Sequence, residues 1–177
     1  MRQRKFMNPD IFLDDFEITE NTQELHAILG RCLIVATHFD HLCDHTSKFF
    51  ELKNSYVKAA VDLQRFEDYA IELMCKYQSL HENIESLSVN DDVKHILLAA
   101  KKARNEIAHS LVIGLTGCLD TKIDESNFKS HLTQLIQDVA AGDYFISLIL
   151  SLNNNDPLFK LPCNKYQEKI VAWVLGK

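Results

Sequence analysis

The sequence predicts an all-α fold, an antiparallel four-helix bundle with short extra helices at its N- and C-terminal ends, and three observations predict it. Apolar residues recur at 3-4 spacing through long segments, while the two-residue alternation of a half-buried strand is absent. The 177 residues include only five glycines and three prolines at 46% hydrophobic content, so the chain has few breakers and enough apolar matter for one sizeable core. The polar breaks between periodic segments are short, which makes successive helices antiparallel neighbours.

Residues 1–20 read as a tail with one helical turn around 11–16, residues 21–155 as the bundle, and 156–177 as a short helix packed on it. Asn21 is a candidate N-cap with Glu24 as its capping-box partner. From there Leu25, Ile28, Cys32, Val35, Phe39, Leu42, Thr46 and Phe49 form one seam, which predicts a helix over 22–52. Lys53-Asn54-Ser55 predicts a turn, with Ser55 capping a second helix over 56–87 along Ala59, Leu63, Phe66, Ala70, Leu73, Tyr77, Leu80, Ile84 and Leu87. Residues 88–92 are a polar break in which Asn90 caps a third helix over 91–113. Gly114, Gly117 and Asp120-Thr121-Lys122 stop it. Asp124 or Ser126 then caps a fourth helix carrying Phe128, Leu132, Leu135, Val139, Ile146 and Ile149, and Gly142 beside Asp143 marks a kink or a close approach. Asn153 to Pro157 ends that helix, and beyond Leu161-Pro162 a last helix over 166–175 carries Trp173.

The net charge of −6 argues against a protein that coats nucleic acid generally, while leaving room for a local basic patch that steers a phosphate. Cys32, Cys43, Cys75, Cys118 and Cys163 are odd in number and contain no C-x-x-C pair, which reads as reduced core thiols in a cytoplasmic protein. The basic residues near the N-terminus have no apolar run behind them, so no signal peptide is expected. No uninterrupted apolar run reaches the length of a membrane span and no lipidation motif is present, so no membrane association is expected.

One stretch breaks the apolar pattern with chemistry. Lys101-Lys102-Ala103-Arg104-Asn105-Glu106-Ile107-Ala108-His109-Ser110 lies toward the end of the third helix. On an ideal helix Arg104 falls within roughly 40° of the direction shared by Leu97, Ala100, Ile107 and Leu111. A guanidinium in a core stripe needs an anion or fixed acceptors. Lys101, Asn105 and His109, at i, i+4 and i+8, line the adjoining ridge. The bland reading pairs Arg104 with a core carboxylate, leaves His109 near a helix C-terminus where the dipole favours its cation, and makes Lys101 and Lys102 solvated charges. The chemical reading makes those lysines phosphate contacts beside a phosphate-binding guanidinium and an imidazole able to take up or give a proton.

The segment Arg104-Asn105-Glu106-Ile107-Ala108-His109 resembles the signature of the HEPN superfamily, helical bundles marked by an arginine, a polar residue and a histidine after four to six intervening positions. The resemblance spans most of residues 20–155. It implies metal-independent RNA cleavage, without a cofactor, at a composite site made when two copies dimerise with their motifs facing. Carried over, His109 is general base or acid on the ribose 2′-hydroxyl and the leaving oxygen, Arg104 holds the scissile phosphate, and Asn105 orients either group. The products would be a 2′,3′-cyclic phosphate and a 5′-hydroxyl. The resemblance further implies a role in prokaryotic stress or antiviral defence, with an antitoxin or regulatory protein as partner. Leu111 departs from the branch in which a tyrosine two residues after the histidine is modified by a partner nucleotidyltransferase. Other HEPN-like bundles are non-catalytic nucleotide-binding or regulatory modules, which makes that the alternative expectation.

Helix geometry points independently toward a second copy. Arg104 and His109 are about 140° apart and roughly 7.5 Å along an ideal helix, so one copy converges poorly on one phosphate. A rival constellation lies on the first helix, where His38, Asp40, His41, Asp44 and His45 flank the seam. His38, His41 and His45 at i, i+3 and i+7 have a spacing able to ligate zinc or nickel, similar to DinB-type metal-binding bundles, which also draw a histidine from another helix. Glu106-x-x-His109 matches half of a di-iron carboxylate motif, and no second copy of it exists.

Overall fold

The computed structural model describes residues 20–58, 63–111, 125–157 and 160–177, and every regular element among them is helical. In order these are α1 (Glu20–Lys58), α2 (Leu63–Cys75), α3 (Leu80–Ser86), α4 (Asp91–Asn105) continuing into a π-helical turn (Glu106–Ser110), α5 (Glu125–Asn154) and α6 (Cys163–Leu175). The core lies between α1, α4 and α5, with α3 packed on α1 and α4 and with α6 on α5 and α1. Its fully enclosed side chains include Ile28 and Phe39 from α1, Ile84 from α3, Leu97 and Ile107 from α4 and its extension, Leu132 and Ile136 from α5, and Val174 from α6.

The 3-4 seam of α1 buries as its periodicity predicts, with Ile28, Cys32, Val35, Phe39 and Thr46 enclosed. The ends of the helix differ from expectation. It runs unbroken through Lys53-Asn54-Ser55 to Lys58, and Asn21 lies within the helix instead of capping it. Asn90 does cap α4: its side-chain oxygen accepts the Val93 N–H at 2.9 Å, with Asp91 and Asp92 placed against the positive end of the helix dipole. Ser126 falls inside α5, while Asp124, Gly114, Gly117, the turn at 120–122 and the helical turn at 11–16 lie outside the described residues.

The second predicted helix is two helices. Residues 76–79 leave the helical path because Ser79, extended at φ −69° and ψ 153°, starts a new one. Its hydroxyl accepts the Glu82 N–H at 3.3 Å and its own N–H donates to the Glu82 carboxylate at 2.7 Å, a reciprocal capping box. Tyr77, expected in the core seam, is instead 91% exposed. Leu73, Leu80, Ile84 and Leu87 remain buried on either side of the break. The backbone and hydroxyl of Ser79 hold the Glu82 carboxyl below the usual carboxylate range. A depressed carboxylate stabilises the fold above its unfolded pKa, and that contribution disappears as pH falls through the lowered folded value. Ser79→Ala is therefore expected to lower the midpoint of thermal unfolding near neutral pH by roughly 2–4 °C, with the deficit shrinking in acid; melts by circular dichroism at both pH values check it.

α6 begins three residues before its periodicity suggests, because Pro162 occupies the N-cap and Cys163 opens the helix. It ends at Gly176, whose φ of 71° is the left-handed C-cap conformation. Arg31 on α1 donates through Nε to the Val174 carbonyl at 2.7 Å, placing a cation on the negative end of α6 and fixing that end to the bundle. The Gln167 amide donates to the Gln137 carbonyl at 3.0 Å and joins α6 to α5. Within α5, Gly142 resolves to a close approach: a Cβ there would stand 2.4 Å from the Ala100 Cβ and 2.9 Å from the Phe39 ring. The stretch Asn127–Asn154 of this helix is long and apolar enough to cross a membrane by length and composition, and here it packs against α1, α4 and α6.

Two of the cysteines are core thiols as expected. Cys32 and Cys43 are enclosed, whereas Cys75 is exposed and Cys163 half-buried; Cys118 lies outside the described residues. Burial pushes the Cys32 thiol up to about 12 and raises Cys43 too, where the carboxylates of Asp40 and Asp143 reinforce the effect. Among the four described cysteines, native protein exposed to a thiol-reactive maleimide at neutral pH is expected to label first at Cys75, more slowly at Cys163, and at Cys32 and Cys43 only after denaturant is added. Peptide mass spectrometry of timed samples reads the order.

Candidate active site on the fourth helix

The polar segment forms where α4 changes character. Through Asn105 it is an α-helix, and from Glu106 to Ser110 the bonding widens to i→i+5, with the Leu111 N–H donating to the Glu106 carbonyl. Single π turns of this kind concentrate at functional sites. The wide turn underwinds the chain at roughly 80–85° per residue, so the separation of Arg104 and His109 around the axis closes from about 140° to about 60–80°. Ile107 and Leu111 stay in the core through the change and anchor the turn.

Ala103 takes the enclosed position at this level of the helix, and Arg104 lies at the edge of the packed face instead of in its middle. Its side chain is 24% exposed, and its Nη2 donates to the Asp40 carboxylate of α1 at 2.5 Å, while Nη1 donates to the Asn105 side-chain oxygen at 3.1 Å. A guanidinium has five N–H groups in a planar fork, so these two contacts fix its plane and leave three without an acceptor among the described residues. The side-chain oxygen of Asn105 is used in that contact, which leaves its amide N–H₂ as the group able to donate. On the other flank Glu106 pairs with His131 of α5 at 2.7 Å, so α4 is tied to both neighbours across this segment.

His109 is exposed, and no described residue hydrogen-bonds its imidazole. Lys101 is half-buried and Lys102 exposed, with neither ammonium in an ion pair with a described residue. The structure thus brings Arg104 and Asn105 into contact, puts His109 one wide turn further on, and leaves the two lysines on the helix surface before them. Asp40 is the member of the site that the motif alone did not place, although the residue stands out in the charged stretch of the first helix.

The partners of that stretch take the metal reading apart. Asp40 is committed to Arg104, and Asp44 accepts from Lys48 at 2.9 Å. His38 donates through Nδ1 to Asp143 of α5 at 2.6 Å, and the other Asp143 oxygen accepts the Tyr166 hydroxyl of α6 at 2.5 Å. Burial and that carboxylate raise the Tyr166 phenol well above its ordinary value. Among the described residues no group of three His, Cys, Asp or Glu side chains is arranged to hold a metal, so His38, His41 and His45 do not form a common site. His41 and His45 are exposed on α1.

Comparison with family models, with curated proteins and with solved structures finds no match.

Proposed function

We propose that this chain is a metal-independent endoribonuclease of HEPN type, acting as a homodimer in which two Arg104-Asn105-x₃-His109 segments face one another. The observation that carries the reading is the division of labour across the π turn: a guanidinium oriented by Asp40 and Asn105 with donors to spare, followed by an exposed imidazole without a described partner. In the cleavage step His109 removes the proton of a ribose 2′-hydroxyl and the 2′-oxygen bonds to the adjacent phosphorus. The bond from phosphorus to the 5′-oxygen breaks, and that oxygen takes back the proton that the same His109 has removed. Arg104 and the Asn105 amide neutralise charge that builds on the phosphoryl oxygens. Atoms and protons balance, giving a 2′,3′-cyclic phosphate and a 5′-hydroxyl with no metal ion. Lys101 and Lys102 contact flanking phosphates, and the net negative charge of the remainder limits indiscriminate binding. A role in prokaryotic stress or antiviral defence and control by an antitoxin or regulatory protein follow from the same resemblance, and a cytoplasmic location from the cysteine pattern.

The test is incubation of the purified protein with structured RNA in excess chelator, comparing wild type with His109→Ala and Arg104→Ala. The expected result is cleavage by wild type that leaves cyclic-phosphate ends, reduced at least about a hundredfold in each variant. Cleavage that is absent, or equal in all three proteins, overturns the proposal. RNA binding without cleavage would assign the fold to a non-catalytic binding or regulatory module.

A further inference from the structure

A groove of about 380 Å³ runs between α1 and the non-helical linker 76–79, a volume within the range of small-ligand sites. Asp40, His41, Lys48, Lys76, Tyr77 and Asn83 are among its lining residues. Asp40 forms part of its wall while holding the Arg104 guanidinium, so the groove opens beside the proposed phosphate site. The polar groups of its floor are paired with one another. Lys48, 9% exposed, donates to Asp44 at 2.9 Å and to the Met74 carbonyl at 3.4 Å, and buried Asn83 accepts the Ser47 hydroxyl at 2.9 Å while donating to Asp44 at 3.4 Å.

Two features of the rim stand out against that floor. Tyr77 keeps 91% of its surface in water, the largest exposure of any large hydrophobic side chain described, and Lys76 beside it makes no ion pair with a described residue. Both owe their position to the helix break that the Ser79 capping box creates. Because Asp40 and Asp44 are neutralised by Arg104 and Lys48, the wall does not present two free carboxylates to an incoming polyanion. An open phenol face beside a cation is the arrangement on which single-stranded nucleic acid stacks a base while its backbone meets positive charge.

We infer that this groove is the subsite for an unpaired RNA base next to the scissile phosphate, with Tyr77 as stacking platform and Lys76 on the flanking phosphate. The inference rests on the nuclease reading and selects single-stranded RNA, or an unpaired loop, over a continuous duplex whose bases are already stacked. The experiment uses the full chain and a short fluorescent RNA carrying a 2′-deoxy substitution at the cleaved nucleotide, so that binding is read without cleavage. By anisotropy, Tyr77→Ala is expected to weaken binding at least about fivefold and Tyr77→Phe to stay within about twofold, because the phenyl ring still stacks. Lys76→Ala is expected to weaken binding with a shallower salt dependence. Unchanged melting curves establish that these exposed variants fold.

Equal binding by wild type and Tyr77→Ala, or no binding by any of them, overturns the inference. Cleavage of unmodified RNA separates the two claims. If wild type and Tyr77→Ala cleave with the same KM, the groove falls and the nuclease reading stands. If binding depends on Tyr77 while unmodified RNA stays intact, the nuclease reading falls and the groove stands as an RNA site.

Discussion

Gly142→Ala is expected to destabilise the protein by about 2–3 kcal/mol, and Gly142→Val to leave it without a cooperative thermal transition. Glycine inside a helix ordinarily costs about 1 kcal/mol relative to alanine, so propensity alone predicts a gain. Packing reverses the sign. The added Cβ would lie 2.4 Å from the Ala100 Cβ and 2.9 and 3.2 Å from two atoms of the Phe39 ring. Alanine has no rotamer through which to retreat, and Ala100 and Phe39 are both fully enclosed. Relief therefore requires α5 to move away from α4 and α1, loosening the layer that contains Val139 and Ile146. Ala100→Gly combined with Gly142→Ala removes the shortest contact and is expected to recover part of the loss, with Phe39 still crowded. Urea unfolding of the single and double variants measures both effects, and a Gly142→Ala protein as stable as wild type would refute the close-packing argument.

That contact was partly legible in the sequence, since a lone glycine in a long apolar helix asks for either a kink or a close approach, and only the fold distinguishes them. The seams of α1 and α5 were legible because their apolar positions keep one period over many turns, and burial of one face follows. The second helix shows where periodicity loses. Tyr77 stands in register between Leu73 and Leu80, yet the local hydrogen bonds of Ser79 and Glu82 outweigh what continuing the helix through a half-polar ring would bury. The Ser-x-x-Glu signature was present in the sequence at that point, and the similar Asn21–Glu24 pattern falls inside a helix. Local capping signals thus compete with register, and the flanking burial decides between them.

At the candidate site the residue types and their order were legible, and their partners were not. Asp40 lies 64 positions before Arg104, and nothing in the spacing of one helix identifies which carboxylate of another will face it. The π turn leaves no mark on composition, because Ile107 and Leu111 are buried in either winding. Its consequence is angular. It carries His109 toward the side of the helix that holds Arg104, while Arg104 itself is drawn inward to Asp40.

The remaining separation yields a prediction about stoichiometry. An equimolar mixture of Arg104→Ala and His109→Ala chains, dissociated and reassociated, is expected to regain about a quarter of wild-type cleavage, although each variant alone is inactive. Even after underwinding, about 60–80° and several ångströms of helix divide the two groups, with one tethered inward and the other outward. In a facing dimer the guanidinium of one copy meets the imidazole of the other, giving two equivalent sites. A mixed dimer then has one site with both groups intact and one with neither. Random pairing makes half of the dimers mixed, each with half of the wild-type sites, which gives the quarter. Were Arg104 and His109 of the same chain to serve one phosphate, every site in the mixture would lack one group and cleavage would stay at the level of the separate variants. Titrating one variant into the other and following cyclic-phosphate product discriminates the two arrangements, since a shared site gives a maximum near equal proportions and a single-chain site gives a flat line.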